Sequence, residues 1–282
     1  MMHSCDVLVI GSGIAGVVAA IEAGRASARV VLASKGRLFS GSSFFPGTWG
    51  LGLIAPADAD DERDLMRTIL DVGCGVADPT LVETFVGGLL PAIDWLESPG
   101  VEGLYACGEI TGGMHGADRI GGLSSANGVV FGRRAGAAAG RYALAPTGNQ
   151  TPDFDPQGHL AKFDLAVSPT AAQNASKDLA AVMQRAAMID RSDPGLASAL
   201  ERVVEIRRDI AKRSRTIDAT DPSAGLAPIA RRERILNQLV LASSMLAAMK
   251  ASPESRGAHS RTDAPAQDPA LAAPSLTWLE RA

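Results

Sequence analysis

Glu109, His115 and Arg119 are three chemistry-bearing side chains on one short stretch, Gly103 to Arg119, that reads GLYACGEITGGMHGADR. Leu104, Tyr105 and Ala106 read as a short buried strand that ends in Cys107-Gly108-Glu109. A carboxylate at the carboxyl end of a strand is placed to accept hydrogen bonds from ribose or ribitol hydroxyls. Behind it, Gly112, Gly113 and Gly116 let the backbone approach a flat ligand, while Arg119 offers the planar fork that grips a carboxylate with two hydrogen bonds. The competing reading is a glycine-rich surface loop without a ligand.

Such residues need a sheet to hold them, and the amino terminus supplies one. Cys5 to Ile10 is a continuous apolar run of the kind buried on both faces of a parallel sheet. Gly11, Ser12, Gly13, Ile14, Ala15 and Gly16 follow with G-x-G-x-x-G spacing, and an alanine-rich run over 14–26 predicts a helix. The first glycine allows the tight turn, the second lets a pyrophosphate lie on bare backbone, and the third packs helix on strand. The helix then presents amide donors and the positive end of its dipole to the phosphates. Arg29 to Ala33 closes a βαβ unit. After that strand Ser34-Lys35 stands where NAD-binding units place an acid for the ribose, which argues against the usual NAD ribose contact. Residues 40–50, SGSSFFPGTWG, carry many backbone donors, and Phe44, Phe45 and Trp49 favour a ligand-covering loop.

These pieces resemble the flavoprotein family of soluble fumarate reductases, succinate dehydrogenase flavoprotein subunits and L-aspartate oxidases. Three blocks carry the resemblance: residues 5 to about 100, from CDVLVIGSGIAG to Asp94-Trp95-Leu96-Glu97; residues 103–140, where GLYACGEITGGMHGADRIGG runs into Val130-Phe131-Gly132-Arg133; and Glu254 to Arg261, ESRGAHSR. The resemblance implies an FAD-dependent oxidoreductase acting on a four-carbon dicarboxylate, fumarate or succinate ahead of aspartate. Its phosphate contacts fall on Gly11 to Gly16, and its next flavin contacts on Lys35 and the Ser42 to Trp49 loop, with Ser42, Ser43 and Gly47 among them. Glu109 takes the ribityl chain, Ser124 and Ser125 take the flavin pyrimidine edge, and Arg119 clamps a substrate carboxylate. His115, on the same loop as Arg119, is the second catalytic candidate. Residues 34–50 hold no histidine, so the flavin is expected to be non-covalent.

The chain also departs from the family pattern. Asp118 stands where an asparagine is usual, beside Arg119, and a carboxylate there can neutralise the guanidinium. Leu123 replaces an asparagine, and Ala264 an aromatic. At Ser98-Pro99-Gly100-Val101-Glu102 a few residues join two blocks that the family separates by a long segment, the one holding its mobile cap and proton-transferring arginine. The chain therefore reads as a family member without its middle, and a catalytically silent flavin-binding or scaffold remnant stays open beside the enzyme.

The fold expected is α/β: a reduced Rossmann-like FAD-binding parallel sheet of three strands with helices near 14–26, 62–72, 80–97 and 124–142, followed by a carboxyl-terminal helical bundle. The expected division is a flavin domain over 1–144, a Pro- and Gly-rich linker over 145–170, and a helical domain over 171–282 with an extended tail. Three apolar stripes predict the bundle: Leu179, Val182, Met183, Ala186 and Ile189; Leu196, Leu200, Val203, Val204 and Ile210 after an Asp193-Pro194-Gly195 break; and Ile235, Leu236, Leu239, Val240 and Leu246. Methionines 183, 188, 245 and 249 read as core filler, Arg231 to Arg234 as a solvated face, and His259 as a tie between the two domains. With 46% hydrophobic residues in 282 and a net charge of −4, the chain has no basic stripe for nucleic acid. No apolar run reaches membrane-spanning length. Cys5, Cys74 and Cys107 are too widely spaced for a metal site and read as reduced thiols of a cytoplasmic protein. The electron-transfer partner is not legible.

Overall fold

Strand β1 (Val7–Ile10) lies parallel to β2 (Val30–Ala33), Val7 opposite Val30 and Ile10 opposite Ala33, with helix α1 (Ile14–Arg25) as the crossover. The computed structural model describes residues 4–36, 38, 56, 58–87, 103–145, 155, 158, 161–217 and 225–273. The chain divides into two compact units, Met1–Thr151 and Pro152–Ala282. Asp6 fixes the entry to the sheet: its carboxylate accepts the Arg29 backbone N–H at 2.7 Å and the Arg29 guanidinium at 2.7 Å. Those hydrogen bonds hold the Asp6 carboxyl down to about 2.

The third strand expected at 104–106 does not form. Tyr105 alone is a bridge residue, because Gly103 at φ +76° and Gly108 at φ +83° bracket the segment with left-handed turns. Gly108–Ile110 is instead a single 3₁₀ turn. Among the described residues the parallel sheet of this unit has two strands.

Helix α2 (Ala59–Val72) starts at Asp58, whose carboxylate accepts from the amides of Asp60 and Asp61 at 2.9 Å. Asp60, Asp61 and Glu62 then complement the helix dipole. Asp78 does the same for α3 (Pro79–Gly87) through Thr80 and Leu81. Both helices bury one apolar face, Ile69, Val82, Phe85 and Val86, against Leu123, Ala126, Val130 and Phe131 of helix α4 (Leu123–Leu144). The Phe85 and Phe131 rings stack at 6.4 Å between centroids.

Helix α4 also packs on α1 along a stripe of glycines. A Cβ at Gly128 would lie 2.6 Å from Ile14 Cγ2, one at Gly132 2.6 Å from the Ala15 carbonyl oxygen, and one at Gly140 2.8 Å from Ala26 Cβ. At Gly136 it would overlap the Ala19 carbonyl oxygen. The contacts climb both helices together, so α1 and α4 run parallel with their amino termini side by side.

In the second unit, α5 (Pro169–Ala186), α6 (Asp193–Arg213) and α7 (Ala227–Ala251) share one core, with Leu196, Ile210 and Leu246 fully buried. Leu179, Val182, Val203, Ile235 and Leu239 join them as the stripes require. Ile189 and Val204 do not; both are exposed, Ile189 lying beyond the end of α5. Met183 and Met249 fill core edges, whereas Met188 and Met245 face solvent. Asp193-Pro194-Gly195 is the first turn of α6 rather than a break, since Ser192 caps it by accepting from Gly195 N. Arg232 is half-buried, donating to Glu233 at 2.7 Å and to Ser214 Oγ at 3.1 Å, so the Arg231 to Arg234 run is only partly a solvated face.

The ESRGAHSR segment knots this second unit internally. Glu254 and Arg256 form a bidentate ion pair under the loop, and Arg261 pairs with Asp263 while donating to the Met249 carbonyl. His259 Nε2–H donates to Ser252 O at 3.0 Å, leaving Nδ1 to accept from Arg191 at 3.2 Å. His259 thus ties α7 to β3 (Asp190–Arg191), within one unit.

Candidate functional site

The phosphate turn is shaped by its glycines. Gly11, at φ +109°, turns the chain out of β1 while its N–H donates to the Ala33 carbonyl at 2.8 Å, tying the turn to the end of β2. A Cβ at Gly16 would overlap the Gly11 carbonyl oxygen, so only hydrogen fits there. Gly13 faces open space, with nothing within 4 Å of an added Cβ. Gly13 is also the N-cap of α1, provides no capping side chain, and is followed by a first turn without acids. Among the described residues the amides of Ile14, Ala15 and Gly16 therefore have no capping side chain, and no acid of the first turn offsets the dipole there. Ser12, 3% exposed, donates to Ser34 Oγ at 2.8 Å and braces the turn against the residue before Lys35. Lys35 itself is exposed.

Glu109 sits on the turn that closes on this helix end. A Cβ on Gly108 would lie 2.8 Å from Ala15 Cβ, so the backbone beside Glu109 touches the second residue of α1. Thr111 locks that turn by directing its N–H and its hydroxyl to the Gly108 carbonyl, at 3.0 and 2.7 Å. Glu109 is exposed. The structure therefore brings the Gly11–Gly16 turn and the Glu109 turn together. Ser124, exposed, and Ser125, buried, occupy the first turn of α4, whose N-cap Gly122 again has no capping side chain. Ser42, Ser43 and Gly47 lie outside the described residues, as does the 88–102 junction.

His115 and Arg119 occupy a loop pinned to the α2–α3 connection: Asp78 N–H donates to Gly113 O at 3.0 Å and Ala117 N–H to Gly73 O at 3.1 Å. Asp118 does not neutralise Arg119 through an ion pair among the described residues. Its carboxylate accepts the Arg119 backbone N–H at 2.7 Å, and the guanidinium donates to Ile120 O at 3.1 Å. Arg119 is exposed. His115 Nδ1 is buried and has no hydrogen-bond partner among the described residues. Burial, and secondarily the charge of Arg119, push the His115 ring down to about 4 from 6.5. At neutral pH this imidazole is uncharged beside a cation.

A pH dependence follows from that depression. Between about 6.5 and 4 the unfolded chain takes up a proton that the folded ring refuses, so stability falls as the solution is acidified through this window. The ring is only half-buried, which reduces the effect to about 1–2 kcal/mol. Between pH 7 and 4 the melting temperature of wild type is expected to fall further than that of His115→Gln. Parallel curves would remove the histidine from this account.

The stripe at 128, 132, 136 and 140 and the buried Asn127 are site features that the sequence reading passed over. The fourfold glycine spacing was visible in the sequence; Asn127 gave no signal.

An extended dinucleotide fits these residues. The turn leaves bare backbone open at Gly13, uncapped amides stand ready for phosphates, and an acid on the adjoining turn is placed for hydroxyls. Residues 6–102 match the FAD binding domain family, and residues 176–282 match the carboxyl-terminal domain of fumarate reductase flavoproteins. FAD is accordingly the cofactor of this fold. The chain is 31% identical over 210 residues to an uncharacterized FAD-dependent oxidoreductase of Methanocaldococcus jannaschii, covering 71% of this chain and 36% of that protein. It is 33% identical over 188 residues to an L-aspartate oxidase of Rhodospirillum rubrum, covering 66% and 57%. Among solved structures, an Escherichia coli quinol fumarate reductase superposes at a TM-score of 0.50 with 26% identity, over 60% of this chain and 30% of that one. The chain thus spans between about a third and just over half the length of these relatives. Among the described residues, no helix is long and apolar enough to cross a membrane.

Proposed function

This chain belongs to the family of FAD-dependent flavoproteins that includes fumarate reductases, succinate dehydrogenases and L-aspartate oxidases, and on that premise we propose that it binds FAD non-covalently and serves hydride transfer to or from a four-carbon dicarboxylate of the fumarate type. The observation that carries the reading is the contact of the Glu109 turn with the glycine-lined start of α1.

The amides of residues 14–16 hold the pyrophosphate against the positive end of the α1 dipole, and Lys35 and the serines of α4 complete the cradle. The Glu109 carboxylate accepts from ribityl hydroxyls. Bound FAD supplies a two-electron, hydride-transferring ring. Arg119 takes one substrate carboxylate, its guanidinium kept available because Asp118 is engaged by backbone. His115, uncharged above about pH 4, serves this pair as a neutral hydrogen-bonding group and not as a proton reservoir. Its neutrality also leaves Arg119 as the single positive charge of that loop. Three free cysteines support a reducing, cytoplasmic setting.

The second reading, a flavin-binding remnant without turnover, is favoured by the Ser98 to Glu102 junction, where a few residues join two blocks that the family separates by a long segment. Protein loaded with FAD, bleached by dithionite without oxygen, is expected to regain its colour on adding fumarate and not on adding buffer. Bleaching of the oxidised protein by L-aspartate would replace fumarate by aspartate as substrate. Indifference to both makes the chain a remnant, and failure to take up FAD rejects the entire proposal.

A further inference from the structure

Asn127 lies in the second turn of α4, is 6% exposed, and its carboxamide Oδ1 has no hydrogen-bond partner among the described residues. Helical spacing puts it on the face of Leu123 and Phe131, four residues to either side, both in the apolar core of the unit. A carbonyl oxygen sealed there loses its hydration and gains nothing in return, and folded proteins retain few such atoms. Leucine has nearly the same shape without that penalty, so packing alone gives no reason for asparagine.

The surroundings indicate what completes it. The adjacent Gly128 is the residue whose missing Cβ admits the start of α1, with Ile14 Cγ2 at 2.6 Å and Ala15 N at 3.5 Å from that position. One turn earlier stand Ser124 and Ser125. The core cluster on the face of Asn127 includes Met114 and, at its edge, Cys107, from the stretch that carries Glu109 and His115. Helix α4, which carries the unpaired acceptor, thus packs against both the start of α1 and the Gly108–Ile110 turn, the two parts of the cofactor cradle.

We propose that Asn127 is a flavin-contacting residue, its Oδ1 accepting a hydrogen bond from a donor of bound FAD. Two kinds of donor exist on the flavin part of FAD: the ring N3–H and the ribityl hydroxyls. This inference rests on the FAD reading and adds to it a residue that holds the flavin moiety by polarity as well as by shape. Removing the acceptor relieves the cofactor-free protein and penalises only the complex.

The test measures two quantities for wild type, Asn127→Leu and Asn127→Ala: the dissociation constant for FAD by flavin fluorescence, and the melting temperature without FAD. The leucine variant is expected to melt no lower than wild type when FAD is absent, yet to bind FAD about 10- to 100-fold more weakly, as loss of one buried hydrogen bond requires. Should leucine prevent folding, the alanine variant carries the same affinity comparison. N3-methylated FAD separates the donors: weakened binding to wild type identifies the ring N–H, and unchanged binding identifies a ribityl hydroxyl. Wild-type affinity in a folded Asn127 variant overturns the contact while leaving the FAD reading intact. A wild-type chain that binds no FAD overturns both.

Discussion

Gly136→Leu is expected to unfold the amino-terminal unit, and Gly136→Ala to weaken it measurably. Two effects oppose each other when a helical glycine becomes alanine. The helix gains up to about 1 kcal/mol because the unfolded chain loses freedom. Against that, a Cβ at Gly136 overlaps the Ala19 carbonyl oxygen, with Ala19 Cα 2.6 Å away, and backbone of α1 is what has to move. Forcing two packed helices apart costs about 1–3 kcal/mol for a methyl group, so the clash outweighs the propensity gain. Leucine extends the same intrusion through three more carbons, and about 4 kcal/mol or more is the expected cost, a large share of the stability of an ordinary domain. Gly24, in α1 and with nothing within 4 Å of an added Cβ, supplies the opposite case. Gly24→Ala is expected to stabilise by about 0.5 kcal/mol. Melting curves of the three variants read the prediction directly: if Gly136→Ala and Gly24→Ala shift the melt alike, α1 and α4 are not in contact along the stripe. Loss of FAD uptake should accompany Gly136→Leu, since the stripe sets the two helix amino termini beside each other.

This stripe also marks where local sequence stops being informative. The β1–turn–α1–β2 unit was legible because strand, glycines and helix adjoin in the chain, and each glycine has a cause within five residues of itself. The bundle was legible for a similar reason, since Leu196, Val203 and Ile210 repeat with the helical period. The pairing of α1 with α4 joins residues more than a hundred positions apart. Its trace is a spacing of small residues on one helix, which names no partner. The misread third strand has a local cause that was overlooked. Two glycines at 103 and 108 are closer together than a strand with left-handed ends allows. The Asp193-Pro194-Gly195 triplet was legible as punctuation but ambiguous in direction, because proline halts one helix and begins another; Ser192 decided it. Within the site, the Glu109 turn was predicted on chemistry and lies against α1, whereas Asn127 needed its burial to be known before its unpaired oxygen had any meaning.

Glu254→Leu is expected to remove about 3 kcal/mol from the carboxyl-terminal unit, and a second change, Arg256→Met, to restore much of that loss. The Glu254 and Arg256 side chains are 4% and 8% exposed and joined at 2.7 Å. Glu254 Oε2 also accepts the Asp268 N–H at 2.7 Å, and Arg256 donates to the Asp268 carbonyl at 2.8 Å. Taking away the carboxylate alone leaves a covered guanidinium with its charge uncompensated and the Asp268 amide without its acceptor. Exposed neighbours Pro253, Gly257 and Ala258 show that a single layer of loop covers the pair, which places the cost at the lower end of the range for buried pairs. Replacing both residues by apolar side chains of similar volume removes charge and desolvation penalty together, and only the Asp268 hydrogen bonds remain lost. The melt of this unit should therefore fall by roughly 10 °C in Glu254→Leu and recover by more than half in the double variant. Acid provides an independent check with a determined sign. Hydrogen bonding from Arg256 lowers the Glu254 pKa below its ordinary 4.5, so the contribution of the pair is complete above that pH and is lost as pH falls through the depressed value. The double variant lacks the group that titrates and should lose less stability than wild type between pH 5 and 3. A double variant as unstable as the single one would mean that the pair fixes the course of the loop, holding Arg261 over the end of α7, and that its charges are secondary to that shape.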